Sequence, residues 1–252
     1  MTTDVLSFWN TRAQLQEKAG SNDLVAKSIE IEALSKFFRD GLDVMEFGCG
    51  NGITALEMAR RYDITLQAYD FSAEMVKAAQ QLAASIGCTD KVTFATGDIT
   101  HPPAIEKTFD LIFTERMIIN LANWELQQSA IRTLCSHLKP GGKLLLLENS
   151  STGLEKINEL RVAAGLKAIT APWHNIYLDD EQVAKLDIEG CELTQVVPYS
   201  ATYYFLSRVV NAWLADQEGK EPQYDAPVNK LALALPAIGD HAQGKIWVFE
   251  RK

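Results

Sequence analysis

The chain has 252 residues, is 47% hydrophobic and 23% charged, and carries a net charge of −9. That balance suits a globular chain with a sizeable core, built as one large domain or as one domain with an added cap. It speaks against a nucleic-acid substrate: the longest basic clusters are pairs such as Arg60-Arg61, and no basic stripe is present.

The opening MTTDVLSFWN has neither a basic start nor a long apolar run, so it does not read as a signal peptide. No stretch approaches the roughly 20 apolar residues that span a bilayer. Cys49, Cys88, Cys135 and Cys191 form no C-x-x-C pair, and the four histidines are scattered. The expectation is a cytoplasmic protein with reduced thiols, no metal site and no membrane partner.

Residues 1–40 read as helical, with Leu24, Val25, Ile29, Ile31, Leu34 and Phe37 at mixed three- and four-residue spacings. Residues 43–47 read as a short buried strand, and Ile53, Leu56 and Ala59 give the next segment a helical face. Residues 64–69 make a second strand. Ser72 caps the following helix, Glu74 suits its dipole, Met75, Val76 and Ala79 line it, and Gly87 ends it. Strands follow at 92–96, at 111–114 and, after a helix at 124–138 and a Lys139-Pro140-Gly141-Gly142 turn, at 143–148. Four consecutive leucines in that last strand suit a position covered on both faces. Strand and helix alternate at short intervals, so the core is α/β with a mostly parallel sheet.

After residue 150 the rhythm changes. A helix at 154–164 leads to an aromatic loop, Ala171-Pro172-Trp173-His174-Asn175-Ile176-Tyr177, and a short helix after Asp179-Asp180. Two late strands, 192–197 and 245–250, are separated by about 47 residues, with helices at 203–215 and 228–235. That is too long for a hairpin turn and reads as an insertion beside the site.

The sharpest local signal is Glu46-Phe47-Gly48-Cys49-Gly50-Asn51-Gly52, between a strand and a helix. This arrangement lets a ligand approach backbone at a helix N-terminus. No G-K-[ST] follows, as a P-loop requires, and the third glycine of G-x-G-x-x-G would fall on Ile53. An acid two residues before the first glycine is awkward for a pyrophosphate and suits a ligand with an ammonium and a sulfonium.

The motif resembles the first motif of class I S-adenosylmethionine-dependent methyltransferases. The resemblance continues in order through Asp70 in Ala-Tyr-Asp-Phe-Ser, Gly97-Asp98-Ile99, Phe109-Asp110-Leu111-Ile112 and Leu138-Lys139-Pro140-Gly141-Gly142. It covers residues 43–150 densely. It implies S-adenosylmethionine as cofactor and a doubly wound, seven-stranded Rossmann-like sheet. The domain plan that follows is a single methyltransferase domain over 1–252: a helical lid at 1–40, a cofactor core at 41–150, and substrate-side elements with the last two strands at 151–252. Glu46, Gly48, Cys49, Gly50 and Gly52 then face the cofactor. Asp70 accepts its ribose hydroxyls, Asp98 meets the adenine amino group, Phe71 and Ile99 either flank the adenine or belong to the core, and Met75 is assigned to the cofactor site. The opening Phe8-Trp9-Asn10-Thr11-Arg12-Ala13 resembles the lid of small-molecule members, which brings Trp9 and Arg12 to the cofactor. The 172–175 loop and Tyr203 to Arg208 resemble a bacterial subgroup associated with saccharides or other polar metabolites.

Glu115-Arg116 and Glu148-Asn149 leave the fourth and fifth strands at the sheet edge where ligands bind in open α/β folds. Glu115 is assigned to the cofactor and Arg116 to catalysis. The acceptor's proton goes to His174 as first choice and to Glu148 as second. Asn149, Trp173, Tyr199, Tyr203, Tyr204 and Arg208 are expected to line the acceptor site. Cys49 reads as a small residue that fits, since methyl transfer from a sulfonium needs no covalent intermediate. The reading is methyl transfer to a small polar acceptor. A non-catalytic S-adenosylmethionine-binding partner and a nicotinamide-dependent oxidoreductase remain alternatives.

Overall fold

The computed structural model describes residues 2–252, apart from the side chains of residues 16–18. Its centre is a seven-stranded sheet: β1 (Asp43–Phe47), β2 (Thr65–Asp70), β3 (Val92–Thr96), β4 (Phe109–Glu115), β5 (Leu138–Asn149), β6 (Cys191–Val197) and β7 (Gly244–Arg251). The order across the sheet is β3-β2-β1-β4-β5-β7-β6. The first five strands run parallel, and β7 pairs antiparallel with both β5 and β6. The alternating pattern predicts this mostly parallel α/β sheet, and its doubly wound, Rossmann-like order is the one that the resemblance implies.

The leucine run explains how both faces are covered. Side chains alternate along a strand. Leu145 and Leu147 join Val44, Leu111, Phe113, Ile246 and Val248 in one core, with Leu34, Leu56, Ala59, Val76 and Ala79 from the helices over that face. Leu144 and Leu146 join Met45, Phe47, Ile112, Trp247 and Phe249 in the other, with Ile131 and Leu134. The covering helices are α2 (Leu24–Ser35), α3 (Ile53–Arg61) and α4 (Ala73–Ile86) on the first side and α5 (Trp124–Ser136) on the second. Several caps are as expected: Ser72 Oγ accepts from Met75 N at 3.1 Å, and Gly87 closes α4 in the left-handed region.

Boundaries differ in instructive places. The segment 139–142 belongs to β5 rather than to a turn. Phe109 pairs with Leu138, and a register irregularity before Leu111 absorbs the mismatch. The insertion between β6 and β7 is one helical run, α8 (Ala201–Tyr204), a π-helical turn (Phe205–Val210) and α9 (Asn211–Gln217). The helix expected at 228–235 shrinks to α10 (Pro227–Lys230) and a 3-10 turn (Leu231–Leu233). A third core cluster holds the N-terminal segment to this insertion: Val25 and Ala26 of α2 pack with Ile157 of α6 (Ser151–Ala163) and with Tyr203, Tyr204 and Val209. Among the described residues no helix is long and apolar enough to cross a membrane.

Candidate active site

The sheet order reverses between β1 and β4, so their carboxyl ends open a crevice. The glycine loop leaves β1 there, and Glu115 and Arg116 end β4. Gly48, Gly50 and Gly52 all have positive φ, but they do different work. A Cβ on Gly48 would lie 2.3 Å from Met117 Cγ, and one on Gly52 2.8 Å from the Phe94 ring, so these two permit close packing. A Cβ on Gly50 would meet nothing within 4 Å. Gly50 lines the crevice, and its bare backbone faces space.

Asp70, at the end of β2, is buried and ties the loop down. Its Oδ2 accepts from Gly50 N at 2.8 Å and its Oδ1 from Ser72 N at 2.9 Å. Burial outweighs these donors and pushes its carboxyl up to about 6. Glu46 is 2% exposed, and its Oε2 has no hydrogen-bond partner. Burial, with the nearby Glu115 adding to it, pushes Glu46 up to about 8. Both acids line the crevice together with Trp9, Lys27, Cys49, Phe71, Glu115, Arg116 and Asn120. A buried carboxylate oxygen without a donor, beside a bare glycine backbone, fits a ligand with a cationic head and hydroxyl groups.

A buried ion network closes the floor. Lys27 Nζ donates to Glu115 Oε1 at 2.5 Å and to Thr54 Oγ1 at 2.6 Å, and Thr54 donates to Glu115 Oε2 at 2.6 Å. Arg116 reaches Glu115 at 3.0 Å and Glu30 at 3.3 Å. Burial alone would raise Glu115, but Lys27 and Arg116 outweigh it and hold it below the usual carboxylate range. Burial raises Glu30 well above that range, with Arg116 offsetting part of the effect. Arg116 is also the one non-glycine with positive φ among the described residues, at 52°. Its N–H donates to Leu147 O, and its carbonyl accepts from Asn120 Nδ2 at 2.6 Å.

Trp9, Gly20, Arg116 and Asn120 also border a second cavity, lined by Arg12, Asn149, His174, Tyr177, Tyr204, Arg208 and Gln243 among others. Trp9 roofs the junction: its indole N–H donates to Asn120 Oδ1 at 3.0 Å. Phe8 stacks on His174 at 4.4 Å between ring centres, so the N-terminal helix α1 (Thr3–Arg12) and the 171–177 loop close over the site together. His174 Nδ1 is buried without a partner, and burial, then Arg12, holds the ring below the ordinary imidazole value.

Several expected site residues lie elsewhere. Glu148 is not placed as a base. Its Oε1 accepts from Thr114 Oγ1 at 2.7 Å and from the backbone of Met117 and Ile118, and its Oε2 accepts from Ile119 N. It braces the turn after β4 and faces neither cavity. Burial pushes it up to about 7 despite these donors. Met75 and Ile99 are core residues that line no part of the crevice, and Gly52 serves the packing of α3. Asp98 is tied to its own turn, accepting from Thr100 N and Oγ1, outside the crevice lining. Arg12 borders the second cavity rather than the first. Trp173 is 67% exposed and turns its edge to Phe8. Tyr203 donates to Asp23 Oδ2 at 2.5 Å inside the third core, and Tyr199 packs against the first core beside Gly244. Lys27, Thr54, Met117 and Asn120 are participants that the sequence did not single out. The usable signal was a lone lysine on the apolar rhythm of α2.

Residues 44–142 match the family model of a methyltransferase domain. The chain is 33% identical over 107 residues to ajmaline N-methyltransferase of Rauvolfia serpentina, covering 42% of this chain and 36% of the relative. It is 30% identical over 155 residues to 27-O-demethylrifamycin SV methyltransferase of Amycolatopsis mediterranei, covering 59% and 53%. The chain thus spans only part of the length of the curated relatives it matches. Among solved structures it resembles the CcbJ methyltransferase of Streptomyces caelestis, with a TM-score of 0.63, 12% identity and 95% of each chain covered, a likeness of fold. The strand order and the acid-and-glycine loop agree with the matched model, so residues 44–142 are similar to a methyltransferase domain.

Proposed function

We propose that the protein transfers a methyl group from S-adenosylmethionine to a small polar acceptor, a hydroxyl, amine or carboxylate compound of the size of a saccharide or related metabolite. One observation carries this reading: the unpartnered oxygen of Glu46 lies in a crevice that shares Trp9, Arg116 and Asn120 with a second polar cavity. Two adjoining chambers suit two reactants that must meet. When bound, the cofactor supplies a methyl carbon whose bond to sulfur breaks, the electron pair staying on sulfur, as the acceptor's lone pair forms the new bond.

The residues' tasks follow. Glu46 takes the cationic head, Asp70 the ribose hydroxyls, and Gly50 gives the backbone room. Trp9 and the α1 roof exclude water and hold the reactants close, which is where the rate of such a displacement is gained. His174, neutral near pH 7 and bordering the acceptor chamber, receives the acceptor's proton. Arg116 spans both chambers and fixes the acceptor against the floor.

The test is thermal. S-adenosylmethionine and its demethylated product should each raise the melting temperature, by about 2.7 kcal/mol of stabilisation at 100 times the dissociation constant, while NAD and NADP should not. Release of demethylated cofactor in a panel of polar acceptors then separates an enzyme from a binding protein. Stabilisation by NAD alone would sink the reading.

A further inference from the structure

Among the cations that border the acceptor chamber, Arg208 stands apart. This inference rests on the methyl-transfer reading and narrows its acceptor. Three arginines line the chamber, Arg12, Arg116 and Arg208, against one carboxylate, Asp23. Asp23 is already spent: Oδ1 accepts from Ala26 N at 3.0 Å, capping α2, and Oδ2 accepts from Tyr203. Arg116 faces Glu115 at 3.0 Å and Glu30 at 3.3 Å.

Arg208 has no such answer. Its guanidinium lies over the rings of Tyr204 and Tyr224, 5.6 and 5.4 Å from their centres. Its Nε is buried and has no hydrogen-bond partner, and among the described residues no carboxylate pairs with it. A guanidinium does not shed its proton in a protein, so neutralisation is not available to it. The ring faces offset part of the charge, and the Tyr224 hydroxyl takes a hydrogen bond from the guanidinium, which leaves Nε without an acceptor. A second cation aggravates the position. Arg161 donates to the carbonyl of Arg208, and the Arg208 charge, after burial, depresses Arg161. Arg208 is half-buried with a buried, unpartnered Nε, and a cation so placed is stabilised when an anion meets it.

The backbone at this point is unusual as well. Arg208 lies in the π-helical turn Phe205–Val210 that interrupts an otherwise α-helical run. Such turns insert a residue and re-aim the side chains around it, at a cost in helix stability. The chain as a whole carries a charge of −9, so three arginines on one chamber are no by-product of a basic surface.

We propose that the acceptor carries an oxyanion, a carboxylate or phosphate group, which docks on the Arg208 guanidinium while its nucleophilic atom lies toward Arg116 and the cofactor crevice. The planar fork of a guanidinium matches either oxyanion with paired N–H donors. Tyr177 and Asn149, which border the same chamber, add hydrogen-bonding groups beside it.

The experiment uses the whole chain saturated with demethylated cofactor. Acetate and inorganic phosphate are titrated in separate arms against potassium chloride at matched ionic strength, and melting temperature is read. The wild type should show a saturable rise with at least one oxyanion, and the better arm names the source. Arg208→Met should keep its affinity for the demethylated cofactor and bind the oxyanion about 10- to 100-fold more weakly. Arg208→Lys should fall between. If Arg208→Met does not fold, the Lys variant and a comparison of neutral sugars with their carboxylate and phosphate forms as acceptors decide the matter. Equal responses to oxyanion and chloride in the wild type, an unchanged oxyanion response in the variants, or a preference for neutral acceptors overturns the proposal. Failure of the demethylated cofactor itself to stabilise the protein refutes instead the methyl-transfer reading on which it rests.

Discussion

The two chambers are built by different means. The cofactor crevice is made of strand ends and the first turn beyond them, and its charges answer one another: Lys27 and Arg116 meet Glu115 and Glu30 within the floor. Among the carboxylates that line the crevice, Glu46 has an oxygen without a hydrogen-bond partner. The acceptor chamber is assembled from segments far apart in sequence: α1, the 171–177 loop and the insertion before β7. Its open groups are on Arg116, His174, Asn175, Arg208 and Gln243. The first region is rigid backbone geometry awaiting one cation. The second is a set of side chains awaiting a proton donor and an anion. Substitutions should therefore separate, with backbone changes acting on the first region and side-chain truncations on the second.

The largest expected effect is at His174. His174→Ala should lower turnover by about 10²–10⁴-fold while leaving cofactor affinity close to wild type. The rate should lose its dependence on an ionisation below the usual imidazole value, since burial and Arg12 depress that group. A fully active, folded Ala variant with an unchanged pH profile would leave positioning alone as the source of rate.

Next come the glycines, which test whether the crevice is backbone-built. Gly48→Ala forces a Cβ into Met117 and keeps a left-handed φ, so unfolding should occur at lower denaturant, by about 2–4 kcal/mol. Gly50→Ala has space around its Cβ and should cost only about 1 kcal/mol, yet its methyl points into the crevice and should weaken the cofactor. Similar cofactor affinities in two folded variants would erase the distinction between the glycines.

Asp70→Ala removes the acceptor of two backbone N–H groups and of the proposed ribose contact. Calorimetry should show cofactor affinity weaker by about 1.5–3 kcal/mol, from the loss of charge-assisted hydrogen bonds. Unchanged affinity in a folded variant means the ribose lies elsewhere.

The smallest effect is a proton. Glu46, raised to about 8, holds its proton at pH 7 in the empty crevice, and an incoming ammonium favours the carboxylate. Cofactor binding should release close to one proton at pH 7, visible as a binding heat that varies with buffer ionisation enthalpy. The same raised group makes the empty protein lose stability as pH climbs from about 5 to about 8, because the folded state holds a proton that the unfolded chain has released. A binding heat identical in phosphate and Tris would falsify the assignment of Glu46.

The difference between the chambers also explains what could be read from the sequence. The glycine loop, Asp70 and the strand spacings are short-range signals, and they locate the crevice. Lys27 and Asn120 arrive in it from α2 and from the turn after β4; a lone lysine on an apolar helix is the one local mark of the first, and no local pattern marks the second. Glu148 was misread for a reason of parity. It alternates with Leu147 and falls on the face of Leu144 and Leu146, where the backbone of 117–119 consumes both oxygens, while its neighbour Asn149 borders the acceptor chamber. Tyr203 and Tyr204 are adjacent on a helix, so they point apart. One is buried on Asp23, and the other borders the chamber.

Trp9 is the residue through which the proposed cycle would be timed. Its ring borders both chambers and is held by Asn120, Phe8 and His174. Aromatic pairs of this kind contribute about 0.5–1.5 kcal/mol each beyond their burial. A ligand passing under the ring has to loosen those contacts on the way in, and its product has to do so again on the way out. On the proposed function, the residence time of the products would depend on a ten-residue helix at the edge of the molecule, and a change there would alter turnover without touching the reacting atoms.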